Sequence, residues 1–211
     1  MLIVSGIAGV LVLSALLWRY WRRHIHRGLW ECLSEVAQQM PLAEVKLHRY
    51  PLPAAAGKYF GFQILLEGVA NRGHSSRPYK IRGVIPLPQK IDERIYLLHE
   101  SRPGSLKPIA TLELVHTGHD VFDRQFVLLT HRAPAAQASA AQALFGPYLC
   151  EKFLALKEPP WLLDIHGGQA HLEFQVRELD SAGLCQSLQV VVEALNTWLI
   201  LLSNKKGSNI Q

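Results

Sequence analysis

The sequence predicts an α+β protein hung on a membrane: an N-terminal transmembrane helix with an amphipathic stem, then a mostly antiparallel sheet covered by helices. An uncharged apolar run from Leu2 to Trp18 gives way abruptly to Arg19, Tyr20, Trp21, Arg22, Arg23, His24, Ile25, His26 and Arg27. Between residues 57 and 130, short segments bounded by Gly, Pro or Asp read as strands, most clearly where Phe60, Phe62, Ile64 and Leu66 alternate with Gly61, Gln63, Leu65 and Glu67. After Asp180 the period returns to that of a helix.

The run comes first. At ~1.5 Å per residue it reaches about 25 Å, close to a hydrocarbon core of about 30 Å once Trp18 and Trp21 lie among the headgroups. Nothing basic precedes it, and Trp and Arg follow it in place of a small-residue cleavage site, so residues 1 to 18 read as a retained anchor. Trp18, Arg19, Tyr20, Trp21, Arg22, Arg23 and Arg27 form its membrane interface. The positive-inside rule places residues 19 to 211 in the cytoplasm, at a cell inner membrane. Ser5, Gly6 and Gly9 give the anchor a small-residue face against which another helix can pack.

Residues 19 to 41 continue as a basic juxtamembrane and stem helix with an apolar stripe of Ile25, Leu29, Leu33, Val36 and Met40, ended by Pro41. Pro51, Pro53, Ala54 to Ala56 and Gly57 read as a connector. The α+β domain is expected over residues 57 to 203. Strands are expected around Phe60 to Glu67, then at Tyr79 to Leu87, Ile95 to Glu100, Ile109 to Val115 and Phe122 to Thr130. An alanine-rich helix follows Pro134, turning Ala141, Leu144 and Phe145 inward, and a helix restarts with Pro147 at its first position. Trp161 to His166, Gly167-Gly168 and Gln169 to Val176 form a hairpin whose glycines suit a primed turn. Its core face holds Leu163, Ile165, Ala170, Leu172 and Phe174. A last helix buries Leu184, Leu188, Val191, Val192, Leu195, Trp198, Leu199 and Leu202. The stretch Val190 to Leu202, with Glu193 and Asn196, is too short and too polar for a second span. Residues 204 to 211 read as a disordered tail.

The charge balance argues against nucleic acid as a partner. The chain carries a formal +5, yet residues 1 to 28 hold four arginines and no acid, leaving 18 basic against 17 acidic side chains in the remainder. The basicity therefore belongs to the membrane surface, where each juxtamembrane arginine gains about 1 kcal/mol beside anionic lipid. Cys32, Cys150 and Cys185 lie far apart in apolar helical contexts, unlike a disulfide framework or a zinc site.

Candidate sites are few. His116, His119 and Asp120, with Asp123 beyond, have the right ligand chemistry for a divalent ion but loose spacing about Gly118, which reads first as a turn. Asp164, His166, Gln169 and His171 share one face of the hairpin, with Asp164 opposite His171, an arrangement that can orient an imidazole. Arg72, Arg77, Lys80 and Arg82 form an acid-free basic stretch able to meet a lipid or a partner protein. The sequence contains no nucleophile elbow, paired-histidine zinc helix, phosphate loop or dinucleotide fingerprint. No catalytic residue, bound metal or cofactor is expected.

The succession of Gly57 to Gly68, Phe122-Asp123-Arg124-Gln125-Phe126-Val127, Ala143-Leu144-Phe145-Gly146-Pro147 leading to Phe153-Leu154-Ala155-Leu156, and Leu163-Asp164-Ile165-His166-Gly167-Gly168 resembles a group of uncharacterised bacterial single-pass membrane-anchored proteins. In that group an F-D-x-x-F strand is followed by a helix broken at a Leu-Leu-Thr-Pro-like step and then by a hairpin. The resemblance covers residues 57 to 202 and departs at Gly146, where threonine or serine is usual, and at Tyr148, where an acid is usual. It implies an α+β domain and brings no activity or cofactor with it.

A retained anchor, a stem at the membrane surface and a neutral domain lead to the expectation of a non-catalytic accessory or assembly subunit of a larger membrane complex. Its expected partners are membrane lipid and an integral membrane protein. The alternatives are a membrane-tethered metal-dependent or hydrolytic enzyme using the histidine clusters, and an anionic-lipid-binding module.

Overall fold

A computed structural model describes residues 2–40, 43–49, 51–70, 76–90, 94–99, 112–131 and 144–208, with the side chains of 2–12, 43–44, 131 and 202–208 left out. Helix α1 (Leu2–Gln39) is followed by β1 (Ala43–His48), β2 (Ala54–Tyr59), β3 (Phe62–Ala70), β4 (Tyr79–Pro86), β5 (Ile95–His99) and β6 (Leu112–Val115). Then come α2 (Asp120–Gln125), β7 (Phe126–His131), α3 (Pro147–Leu154), β8 (Leu162–His166), β9 (Gln169–Val176) and α4 (Ser181–Ser208).

The strands form one nine-stranded sheet among the described residues, in the order β1-β2-β3-β4-β9-β8-β5-β7-β6, with every neighbouring pair antiparallel. The late hairpin β8–β9 enters between β4 and β5 and joins the two halves of the sheet. One face is packed by helices: α1 lies on β2 and β3 and against α4, α2 lies on β7, and α3 lies against α4 and α2. The other face carries no helix among the described residues.

Alternation decides which side chains meet the helices. Ile64 and Leu66, Ile81 and Ile85, Ile95 and Leu97, Leu163 and Ile165, and Leu172 and Phe174 are all buried against the helical layer. The stem stripe of Ile25, Leu29, Leu33, Val36 and Met40 is buried with them, so the stem is part of the domain core. Its contact with β3 is close, because a Cβ at Gly68 would lie 3.0 Å from the Leu29 Cβ. Phe122 stacks on Phe126 with ring centroids 4.7 Å apart, and Phe145 and Phe153 complete an aromatic cluster. Pro147 opens α3 with Gly146 as its N-cap, as expected.

Several boundaries differ from the sequence expectation. The sheet begins at Ala43, and residues 54 to 59, read as connector and lead-in, form a strand paired with β3 from Ala54↔Glu67 to Tyr59↔Phe62. Asp120–Gln125 is helical, so the strand expected from Phe122 starts only at Phe126. The helix of α4 continues to Ser208 in place of a disordered tail from 204. The alanine-rich segment from Pro134 through Ala141 and the first residues of the strand expected from Ile109 lie outside the described residues.

The expected N-terminal span begins within residues 2–12, whose side chains are not described, and length and hydropathy point to a different helix among the residues whose side chains are. They select Ser181–Leu201, with 21 residues, mean hydropathy 1.3 and 56% of the window buried. Counted from Ser181 the helix is long enough to cross a bilayer, which a count from Val190 missed. Leu184, Leu188, Val191, Leu195 and Trp198 are nonetheless buried in the protein core, which gives its apolarity a use without a membrane.

Candidate membrane-interface site

Helix α1 changes surroundings along its length. Beyond Ile25 its stripe is buried, whereas Leu13, Leu16 and Leu17 are 59%, 58% and 60% exposed, large values for leucine. Trp18 and Trp21 are partly exposed and stack on one another at 5.2 Å between ring centroids. At three residues apart they lie on the side of the helix that continues into Ile25 and Leu29.

The basic residues take a different face. Arg19, Arg22, Arg23, His26 and Arg27 follow the spacing i, i+3, i+4, i+7, i+8 that aligns residues along one side of a helix. The segment between β1 and β2 meets that side: His26 Nε2 lies 3.4 Å from the Pro51 carbonyl oxygen. Arg49 and Pro51 close a cleft of about 600 Å³ whose other lining residues are Arg19, Arg22, Arg23, His26 and Arg27. Arg27 also donates from Nε to Glu31 at 2.8 Å, and this exposed pair raises the guanidinium pKa, mainly through the hydrogen bond. Arg49 belongs to this site and was not singled out from the sequence. Its only signal there was a basic residue next to a turn.

The other expected residues are not gathered into a site. His119 Nδ1 accepts from the Phe122 amide at 3.3 Å, which makes His119 the N-cap of α2. Asp123 accepts from the Thr117 amide and hydroxyl and from the Gly118 amide, with His116 Nδ1 at 3.9 Å. Asp120 is an exposed first-turn residue of α2. Among the described residues no group of three or more His, Cys, Asp or Glu is placed to hold a metal ion. The F-D-x-x-F sequence thus has a structural use, two stacked rings with a carboxylate tying down the preceding turn.

Asp164 faces His171 in the hairpin register as expected, and His166 Nδ1 is 3.5 Å from its carboxylate. Both carboxylate oxygens, however, are taken by Arg94, from Nε at 2.8 Å and Nη2 at 2.6 Å. A carboxylate held in such a fork positions a guanidinium and strand β5, and is poorly placed to accept a proton in a reaction. Gln169, opposite His166 at the turn, is exposed.

The basic stretch before and within β4 is dispersed. Lys80 pairs with Glu173 at 2.5 Å, and Arg82 is exposed on the open sheet face. Arg77 borders a cleft of about 310 Å³ at the strand ends with Trp161, Lys157 and Arg177. Arg72 lies outside the described residues, as do the side chains of Ser5, Gly6 and Gly9. The three cysteines are free and buried. Burial pushes Cys32 up to about 12 and Cys185 up to about 11, and raises Cys150, so none is a ready nucleophile near neutral pH.

Neither a protein-family model nor a curated protein matches the chain. Its fold is similar to the crystal structure of the mycobacterial trehalose monomycolate transport factor A, TtfA, with a TM-score of 0.53 and 10% identity. The match covers 82% of this chain and 95% of that one. At that identity the likeness establishes a shared α+β fold.

Proposed function

We propose that the chain is a non-catalytic single-pass inner-membrane protein, anchored by residues 1 to 18 with the rest cytoplasmic, that serves as an accessory or assembly subunit of a membrane protein complex. The observation that carries this reading is the division of α1. One helix is exposed and apolar at Leu13, Leu16 and Leu17, basic on one face from Arg19 to Arg27, and built into the domain core from Ile25 to Met40. Such a helix couples an anchor rigidly to a domain, a requirement of a part docked in an assembly more than of a tethered enzyme. The sheet face without a described helix offers that domain a surface for a partner, including the exposed Leu65 and Leu114. The role named for the structural neighbour, a transport factor, points the same way.

The test is mild detergent extraction of the full chain, followed by native mass measurement. The expected result is a stoichiometric complex with an integral membrane protein. A monomer or a homodimer alone would count against the subunit reading. The Arg49 cleft favours a second reading, an anionic-lipid-binding module, compatible with the first.

A further inference from the structure

Strands β2 and β3 are joined by two residues, Phe60 and Gly61, between the paired Tyr59 and Phe62. Both have positive φ, 48° and 81°, the pattern of a primed hairpin turn. Such a turn calls for Asn, Asp or Gly at its first central position, because a bulky side chain there crowds the backbone. Phe60 does not meet that requirement. It is the one non-glycine residue with positive φ among the described residues.

The same side chain stands in water. Phe60 is 77% exposed, the most of any large apolar side chain among the described residues. Its ring is nevertheless held, meeting the Tyr59 ring edge-on at 4.7 Å between centroids, and Tyr59 packs against the core. Backbone strain and apolar exposure at one position work against the stability of the domain. A ring fixed in advance is what a binding anchor requires, since little freedom is then lost on docking. Aromatic side chains are prominent among the residues that dominate binding at protein interfaces, where they fill pockets on the partner.

The place of the turn in the fold selects its occupant. The connection from β1 to β2 meets α1 at His26, on the arginine face. Strand β2 runs away from there, and Lys58 near its end pairs with Ala43, just beyond the end of α1. From His26 to Gln39 the helix rises about 20 Å, which puts the turn on the side of the domain away from the headgroup layer. We propose that the Phe60 turn docks into an apolar pocket on the extramembrane part of a protein subunit of the complex. The docking rests on the accessory-subunit reading and adds to it a point of contact.

The experiment compares the full chain with Phe60→Asn and Val121→Asn after mild detergent extraction, reading bound subunits by native mass spectrometry and stability by urea unfolding. Asn suits the turn, and Val121 is an exposed apolar residue of α2 that serves as control. The expected result is retention of the bound subunit about thirtyfold weaker in Phe60→Asn, the factor that corresponds to about 2 kcal/mol at an interface hot spot. Val121→Asn should retain it as the parent does, and the urea midpoint of Phe60→Asn should be no lower than the parent's. Equal retention by Phe60→Asn and the parent, or equal losses in the two variants, would overturn the docking site. A lower midpoint in Phe60→Asn would show that the ring serves its own domain, and would overturn it as well. Loss of a second copy of the chain, in place of another protein, would overturn the choice of partner. A nitroxide on Phe60→Cys relaxed by oxygen and shielded from a nickel chelate in phosphatidylcholine vesicles would put the turn in the bilayer and overturn it too. A parent chain that carries no other subunit would instead remove the subunit reading on which the docking depends.

Discussion

Asp164 shows what a side chain's surroundings do to its chemistry. Alternation in the hairpin puts it opposite His171, and that much was legible, because a Gly-Gly turn fixes the register. Its true partner, Arg94, is seventy residues earlier and reaches it only because β5 pairs with β8. No local pattern announces that pairing. Asp164→Asn breaks a two-bond, charge-assisted contact beside a partly buried guanidinium and is expected to cost about 1.5 to 3 kcal/mol in urea unfolding. His171→Ala should stay within about 0.5 kcal/mol, as for a side chain outside the core; equal losses would mean that the imidazole is the partner that matters.

Asp180 follows similar logic. Its carboxylate accepts from the Gly183 amide at 3.0 Å and pairs with Lys157 at 2.6 Å, capping α4. The Lys157 hydrogen bond first, and then the Gly183 amide, hold its pKa below the usual aspartate range. A lowered folded pKa means that its stabilisation is complete above the unfolded value and fades as pH falls through the folded one. Asp180→Ala should therefore lower the unfolding free energy by about 1 kcal/mol at neutral pH. The gap from the parent protein should narrow as pH falls through and below the ordinary aspartate range; a gap that widens on acidification would contradict the assignment.

At the scale of elements, α1 is the informative case. Its stripe from Ile25 to Met40 was legible because apolar residues recur there at helical spacing against Glu31, Ser34, Glu35 and Gln38. What the stripe packs against was not legible, since that depends on where β3 lies. Gly68 records the contact: Gly68→Val would push side-chain atoms into Leu29 and is expected to destabilise the domain by about 1 to 3 kcal/mol. A neutral result in thermal or urea unfolding would place the stem off the sheet. Strand β2 was hidden by its composition, because Ala54-Ala55-Ala56-Gly57 has little intrinsic strand preference and follows two prolines. It is a strand because β1 and β3 pair with it on both sides. The helical turn at Asp120–Gln125 was hidden inside an apparent strand for the opposite reason, since Phe122 and Phe126 also suit four-residue spacing.

On the scale of the whole molecule, helical faces and strand alternation gave the α+β class, while the order of strands was out of reach. A C-terminal hairpin placed at the centre of the sheet is a long-range arrangement that joins chain segments distant in sequence. The basic face of α1 was visible as charge, and its closure into a cleft by Arg49 required the fold. Both findings converge on the N-terminal helix, which is exposed and apolar at Leu13, Leu16 and Leu17 and buried in the domain core from Ile25 to Met40. The most direct measurement is partition of the full chain between membrane pellet and supernatant after an alkaline carbonate wash, beside the double substitution Leu13→Arg and Leu16→Arg. The account predicts that the parent chain stays in the pellet and that the doubly charged chain is released with its circular dichroism spectrum unchanged. A parent chain released by the wash, or a charged variant retained as fully as the parent, would contradict it.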